Sequence, residues 1–148
     1  MVKMTPSMLV FSASLGVLAS VLYHVVQKLT PQDVNPAVTL LTTYVTAIVL
    51  TLGLLFFYPL KENLPAALGK LNWASFALGL AILGIEISFL LAYRAGWRIS
   101  LLAVVVNVAA TLVLIPIGLA FFGEKLTPVN VIGLILSLVG LVLVNLKP

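Results

Sequence analysis

Five apolar stretches, at residues 7–27, 37–58, 73–93, 101–122 and 129–146, occupy most of this chain. The hydrocarbon core of a bilayer is about 30 Å thick and an α-helix rises about 1.5 Å per residue, so a spanning helix takes roughly 17–25 mainly apolar residues. Each stretch meets that length. The connections left between them are too short for a separate soluble domain. The expected architecture is an all-α integral membrane protein of five transmembrane helices, forming a single membrane domain over residues 1–148. Composition agrees: 62% of residues are hydrophobic, 8% are charged, and the mean hydropathy is +1.25.

The first stretch follows Lys3, much as the apolar region of a signal peptide follows a basic start. It is too long for that role and ends in no small-x-small cleavage pattern, so it counts as a span. The chain has no cysteine, which excludes disulfides, thiolate-bound metals and cysteine nucleophiles. With a single histidine, no structural metal is expected, and neither a cofactor nor enzymatic activity is. Residues 118–125 superficially resemble a phosphate-binding loop, but Glu124 stands where a lysine must follow the second glycine, so no ATP motor is encoded. The net charge of +4 comes from eight basic residues scattered singly over short loops, which makes no patch for nucleic acid.

Those basic residues carry a different message. With five spans, the face bearing the N-terminus holds Lys3, Lys61, Lys70 and Lys125, and the opposite face holds Lys28, Arg94, Arg98 and Lys147. Orientation normally follows an excess of Lys and Arg on the cytoplasmic side, and here there is none. Both orientations are then open to the chain. Two copies can meet head to tail and recreate the inverted-topology repeat on which many secondary transporters are built.

Ordinary helix punctuation divides the spans. Asn35 is a candidate N-cap with Pro36 at the first helical position, Asn72 can cap the third span, and the loop residues 65–71 can form one interfacial turn. Gly123 is placed to end the fourth span, and Thr127-Pro128 to begin the fifth. Tyr58, Trp73, Tyr23, Tyr93 and Trp97 fall where amphipathic rings sit at headgroup depth. Pro116 lies inside the fourth span, where it removes a backbone donor. Small residues recur four apart at Ser12, Gly16 and Ser20, a stripe that ends on His24, and Gly133, Ser137 and Gly140 line one side of the last helix.

Glu86 is the acid that lies well inside a span. By helical rise it stands about 20 Å from Trp73 and about 12 Å from Arg94, near the membrane middle. An acid at that depth costs a few kcal/mol unless it is paired, protonated or facing water, so a proton can be held there and exchanged against a cationic or amine-bearing substrate. Asn107, about 10 Å from Ser100, and Tyr44, about 12 Å from Pro36, reach similar depth, while His24 lies nearer the boundary. Thr39, Thr42, Thr43 and Thr46 share a face of the second span, and Thr111 follows Asn107 by one turn. The alternative for each threonine and asparagine is a bond to a neighbouring helix or back to its own carbonyls. The clustering at one depth favours a cavity, with Glu86, Asn107, Tyr44, His24, Tyr93, Thr43 and Thr111 as the candidate substrate- and proton-binding residues.

From residue 92 onward the sequence resembles the C-terminal part of the EamA-type unit of the drug/metabolite transporter superfamily. The residues that carry the likeness are Ala92-Tyr93-Arg94-Ala95-Gly96, Pro116, Gly123-Glu124-Lys125-Leu126-Thr127-Pro128, Gly133 and Gly140. Family members typically join two five-helix units in inverted orientation and move amino acids, nucleobases, sugars, drugs or other metabolites. This chain holds one such unit, and the balanced charges fit its pairing as an antiparallel homodimer. The resemblance implies a secondary transporter of a small organic metabolite or drug working by alternating access, in the cytoplasmic (inner) membrane of a prokaryote, and Glu86 adds proton coupling to that reading. Its partners are then a small-molecule substrate, membrane lipid and a second copy of the chain. Two other readings stay open: a non-transporting membrane subunit of a larger complex, and a lipid-carrier flippase in which Arg94 and Arg98 hold a phosphate headgroup.

Overall fold

The protein is described by a computed structural model over residues 6–145. Lys3, Lys147 and the expected end of the last span at Leu146 lie outside the described residues. The elements are α1 (Pro6–Leu29), α2 (Pro36–Leu54), α3 (Leu64–Leu68), α4 (Trp73–Arg94), α5 (Ile99–Phe121) and α6 (Pro128–Asn145). By length and composition, α1, α2, α4 and α5 can each cross a membrane. The sixth helix is equally apolar but shorter over Pro128–Leu143, so four rather than five of the expected spans reach full length among the described residues.

Local chemistry explains where the helices begin. The Asn35 side chain accepts a hydrogen bond from the Ala37 amide at 2.8 Å, and Pro36 opens α2 with the fixed φ a first turn needs. Asn72 accepts from the Ala74 amide at 3.0 Å at the start of α4. In the loop before it, Asn63 accepts from the Ala66 amide at 3.0 Å, which turns the expected interfacial segment into the short helix α3. At the start of α6, Thr127 and Asn130 cap one another, the Asn130 amide donating to the Thr127 hydroxyl at 3.2 Å.

The ends are as local as the starts. Gly96 (φ 93°) follows α4 and Gly123 (φ 63°) follows α5, both in the left-handed region that closes a helix and that side-chain-bearing residues rarely adopt. The second span departs from expectation, since α2 stops at Leu54 and residues 55–58 form a turn in which the Phe57 and Tyr58 amides both donate to the Leu54 carbonyl. Pro59 bars the helix from running past Tyr58, the residue before it.

The chain divides into two compact units, one of residues 26–95 and one of residues 6–25 with 96–145. In the first, α2 packs on α4, and Leu40, Phe89, Leu90 and Tyr93 are buried. In the second, α5 packs on α6, with Leu102 and Gly118 buried on α5. Leu18, Leu50, Phe76, Leu80, Val113 and Leu136 stand exposed on the long helices, a surface suited to lipid and not to water.

Candidate functional site

Glu86 lies on α4, half-buried, in the unit of residues 26–95. Its backbone carbonyl accepts a hydrogen bond at 3.1 Å from Nε2 of Gln27, a buried side chain in the last turn of α1. Tyr44 lies on the α2 helix that packs against α4. The Tyr44 hydroxyl is buried and has no hydrogen-bond partner among the described residues. An open groove of about 520 Å³ runs beside it, lined by Tyr44, Ala47, Ile48, Thr51, Leu52, Gly79 and Leu83. Mostly apolar walls, one phenol with an unused donor and one nearby carboxyl form a site that can hold an organic molecule and a proton side by side.

Tyr93 takes a different position in the same unit. It is 2% exposed, its ring is stacked on Phe89 with centroids 6.1 Å apart, and Lys28 Nζ sits 5.6 Å from its ring centroid. Lys28 also donates to the Tyr93 carbonyl at 3.1 Å. Next to it, the Arg94 guanidinium donates to the Pro31 carbonyl at 3.0 Å and lies 3.5 Å from the Thr39 hydroxyl. Thr43 lines a groove of about 320 Å³ with Thr30, Pro31, Thr39 and Thr42, separate from the groove beside Tyr44. The cavity expected to gather Tyr44 and the threonines is thus two grooves, because neighbouring residues on a helix point about 100° apart. Thr42, Thr43 and Thr46 each donate to the carbonyl four residues back.

His24, Asn107 and Thr111 belong to the other unit. His24 is 8% exposed and meets the Tyr23 ring edge-on at 5.2 Å. Asn107 and Thr111 line a small groove of about 130 Å³ with Val108, Leu112, Leu134 and Ser137, where α5 meets α6. The Thr111 hydroxyl donates to the Asn107 carbonyl at 2.8 Å, and Ser137 to the Gly133 carbonyl at 2.9 Å. Thr111 also lines a larger groove of about 390 Å³ with Leu114, Ile115, Ile117, Gly118, Phe122 and Glu124. Among the described residues, no three His, Cys, Asp or Glu side chains converge as a metal site would require.

Gln27 and Lys28 escaped the reading of the sequence as functional residues. The signal was present, since the small-residue stripe ending on His24 continues three and four residues on to Gln27 and Lys28, on the same face of α1.

No curated protein and no solved structure matches the chain. The model of the EamA-like transporter family does, over residues 7–146, a range that takes in all five long helices and both ends of the connection from Gly123 to Pro128. Several apolar helices of spanning character, joined by tightly capped turns and matched to this family from the first helix to the last, make the protein an integral multi-pass membrane protein and a member of the drug/metabolite transporter superfamily: the chain belongs to the EamA-like transporter family.

Proposed function

We propose that the protein is a secondary transporter of a small organic metabolite or drug, coupled to protons through Glu86 and working by alternating access as an antiparallel homodimer of five-span protomers. The observation that carries this reading is the half-buried acid on α4, packed against the helix that bears Tyr44, whose buried hydroxyl has no hydrogen-bond partner among the described residues. A carboxyl at this depth in an apolar helix binds and releases a proton in exchange for a positively charged or amine-bearing group. The phenol supplies a donor to the same substrate.

The family match supports transport as the class of activity. The even distribution of Lys and Arg supports two insertion orientations in one membrane, the cytoplasmic membrane of a prokaryote, and hence an inverted pair around a shared chamber. In that arrangement α6 completes the fifth crossing.

The test is Glu86→Gln in proteoliposomes. The variant is expected to fold and to lose substrate flux driven by a pH gradient. Coupled flux equal to that of the unaltered protein would remove Glu86 from the mechanism.

A further inference from the structure

A second acid sits in surroundings that ordinary helix chemistry does not explain. Glu124 follows α5, where the last carbonyls lack intrahelical partners and the helix dipole presents its negative end. A carboxylate there is repelled by the helix it follows. The chain nevertheless folds this one back over the final turn of α5: the Glu124 amide donates to the Gly118 carbonyl at 3.1 Å, and the turn depends on the left-handed Gly123. The side chain lies so close over Gly118 that a Cβ on that residue would come within 2.8 Å of the Glu124 Cδ. A side chain at 118 would push the end of this exposed carboxylate aside. Among the described residues the Glu124 side chain makes no hydrogen bond and no ion pair, and Lys125 beside it makes none with it either.

The carboxylate opens onto the groove of about 390 Å³ along α5. Leu114, Ile115, Ile117 and Phe122 give the groove apolar walls. Thr111 stands at the far end, about 10 Å from Gly118 by helical rise. Its hydroxyl proton is already given to the Asn107 carbonyl, so it offers lone pairs rather than a donor. Every polar feature of the groove therefore favours positive charge: a carboxylate, the negative end of a helix and an acceptor hydroxyl. One carboxylate among apolar walls cannot supply the six or more oxygens that a calcium ion takes.

We propose that this groove is a binding site for an organic ammonium group carrying an apolar body, with the Glu124 carboxylate as its counter-ion and Gly118 as the residue that makes room for that carboxylate. The site lies wholly within the unit of α5 and α6 and does not depend on Glu86. The ammonium can come from a soluble amine or from the headgroup of phosphatidylethanolamine.

The experiment titrates tetrabutylammonium calorimetrically into the full chain in maltoside micelles. The unaltered protein is expected to bind it, and Glu124→Gln to weaken binding at least tenfold. Gly118→Ala keeps the carboxylate but shifts its flexible end, and is expected to weaken binding by less than Glu124→Gln does. Glu62→Gln, which removes a carboxylate from an exposed ion pair with Lys70, is expected to leave binding unchanged. Displacement of the probe by phosphatidylethanolamine and not by phosphatidylglycerol assigns the site to lipid; failure of both to displace it assigns the site to a soluble amine. Absence of binding, or equal affinity in the unaltered protein and Glu124→Gln, overturns the proposal. Should Gly118→Ala fail to fold, Glu124→Gln decides alone, since it keeps the shape of the side chain.

Discussion

Gln27, Lys28 and Arg94 each reach a main-chain carbonyl far away in sequence, at separations of 59, 65 and 63 residues. In the unit of α5 and α6, by contrast, Thr111 and Ser137 turn their hydroxyls back on their own helices, and Thr127 and Asn130 cap each other within one turn. The first unit is thus cross-linked by polar side chains between segments, whereas Thr111, Thr127, Asn130 and Ser137 of the second bond within their own segments. In lipid no hydrophobic force pulls helices together, so close packing and interhelical hydrogen bonds are the means available. The two units use them in different proportions, which separates the residues whose loss is felt in stability from those whose loss is felt in binding.

The largest expected contrast is between two leucines. Leu90, 1% exposed on α4, is expected to cost about 2–4 kcal/mol when changed to alanine, through lost contacts and the cavity left behind. Leu136→Ala on α6, a side chain 65% exposed, is expected to stay within about 0.5 kcal/mol. Equal losses for both in denaturant titrations in micelles would abolish the distinction between the units. Next comes Arg94→Ala, which removes the bond to the Pro31 carbonyl and the contact with Thr39. A loss of about 1–2 kcal/mol is expected, read as a lower unfolding midpoint. An unchanged midpoint would show that the polar cross-links position the chain without stabilising it. The smallest effect is expected from Ser137→Ala, within about 0.5 kcal/mol, because its hydroxyl serves only to share a carbonyl already used by its own helix. A larger loss would mean that Ser137 also holds α5 to α6.

What the sequence revealed about this molecule follows the range of the interactions involved. Asn35 with Pro36, Asn72, Gly123 and Thr127-Pro128 mark helix boundaries through contacts a few residues long, and such contacts are written in the order of the residues themselves. The early end of α2 was hidden by the apolar run Phe56-Phe57. The choice of the Glu86 carbonyl by Gln27, of Tyr93 by Lys28 and of Pro31 by Arg94 was not legible, because which distant segment a side chain meets is decided by packing. At the candidate site, Glu86 stood out as an acid inside an apolar helix, and Tyr44 as a polar group at similar depth. That Tyr44 and Thr43 open onto different grooves follows from how α2 is rotated, which hydropathy alone does not encode. The fold-back of Glu124 over Gly118 joins two residues six apart through a left-handed glycine, and no periodic pattern announces it.

The three long-range grips share one property with a consequence for how such a protein diversifies. Each holds a backbone oxygen, and of the three Lys28 alone also lies over the ring of the residue it grips. Position 86 can therefore exchange its acid for another group while Gln27 keeps hold of the same atom. A scaffold fastened in this way lets cargo preference drift under mutation without the fastening having to evolve in step.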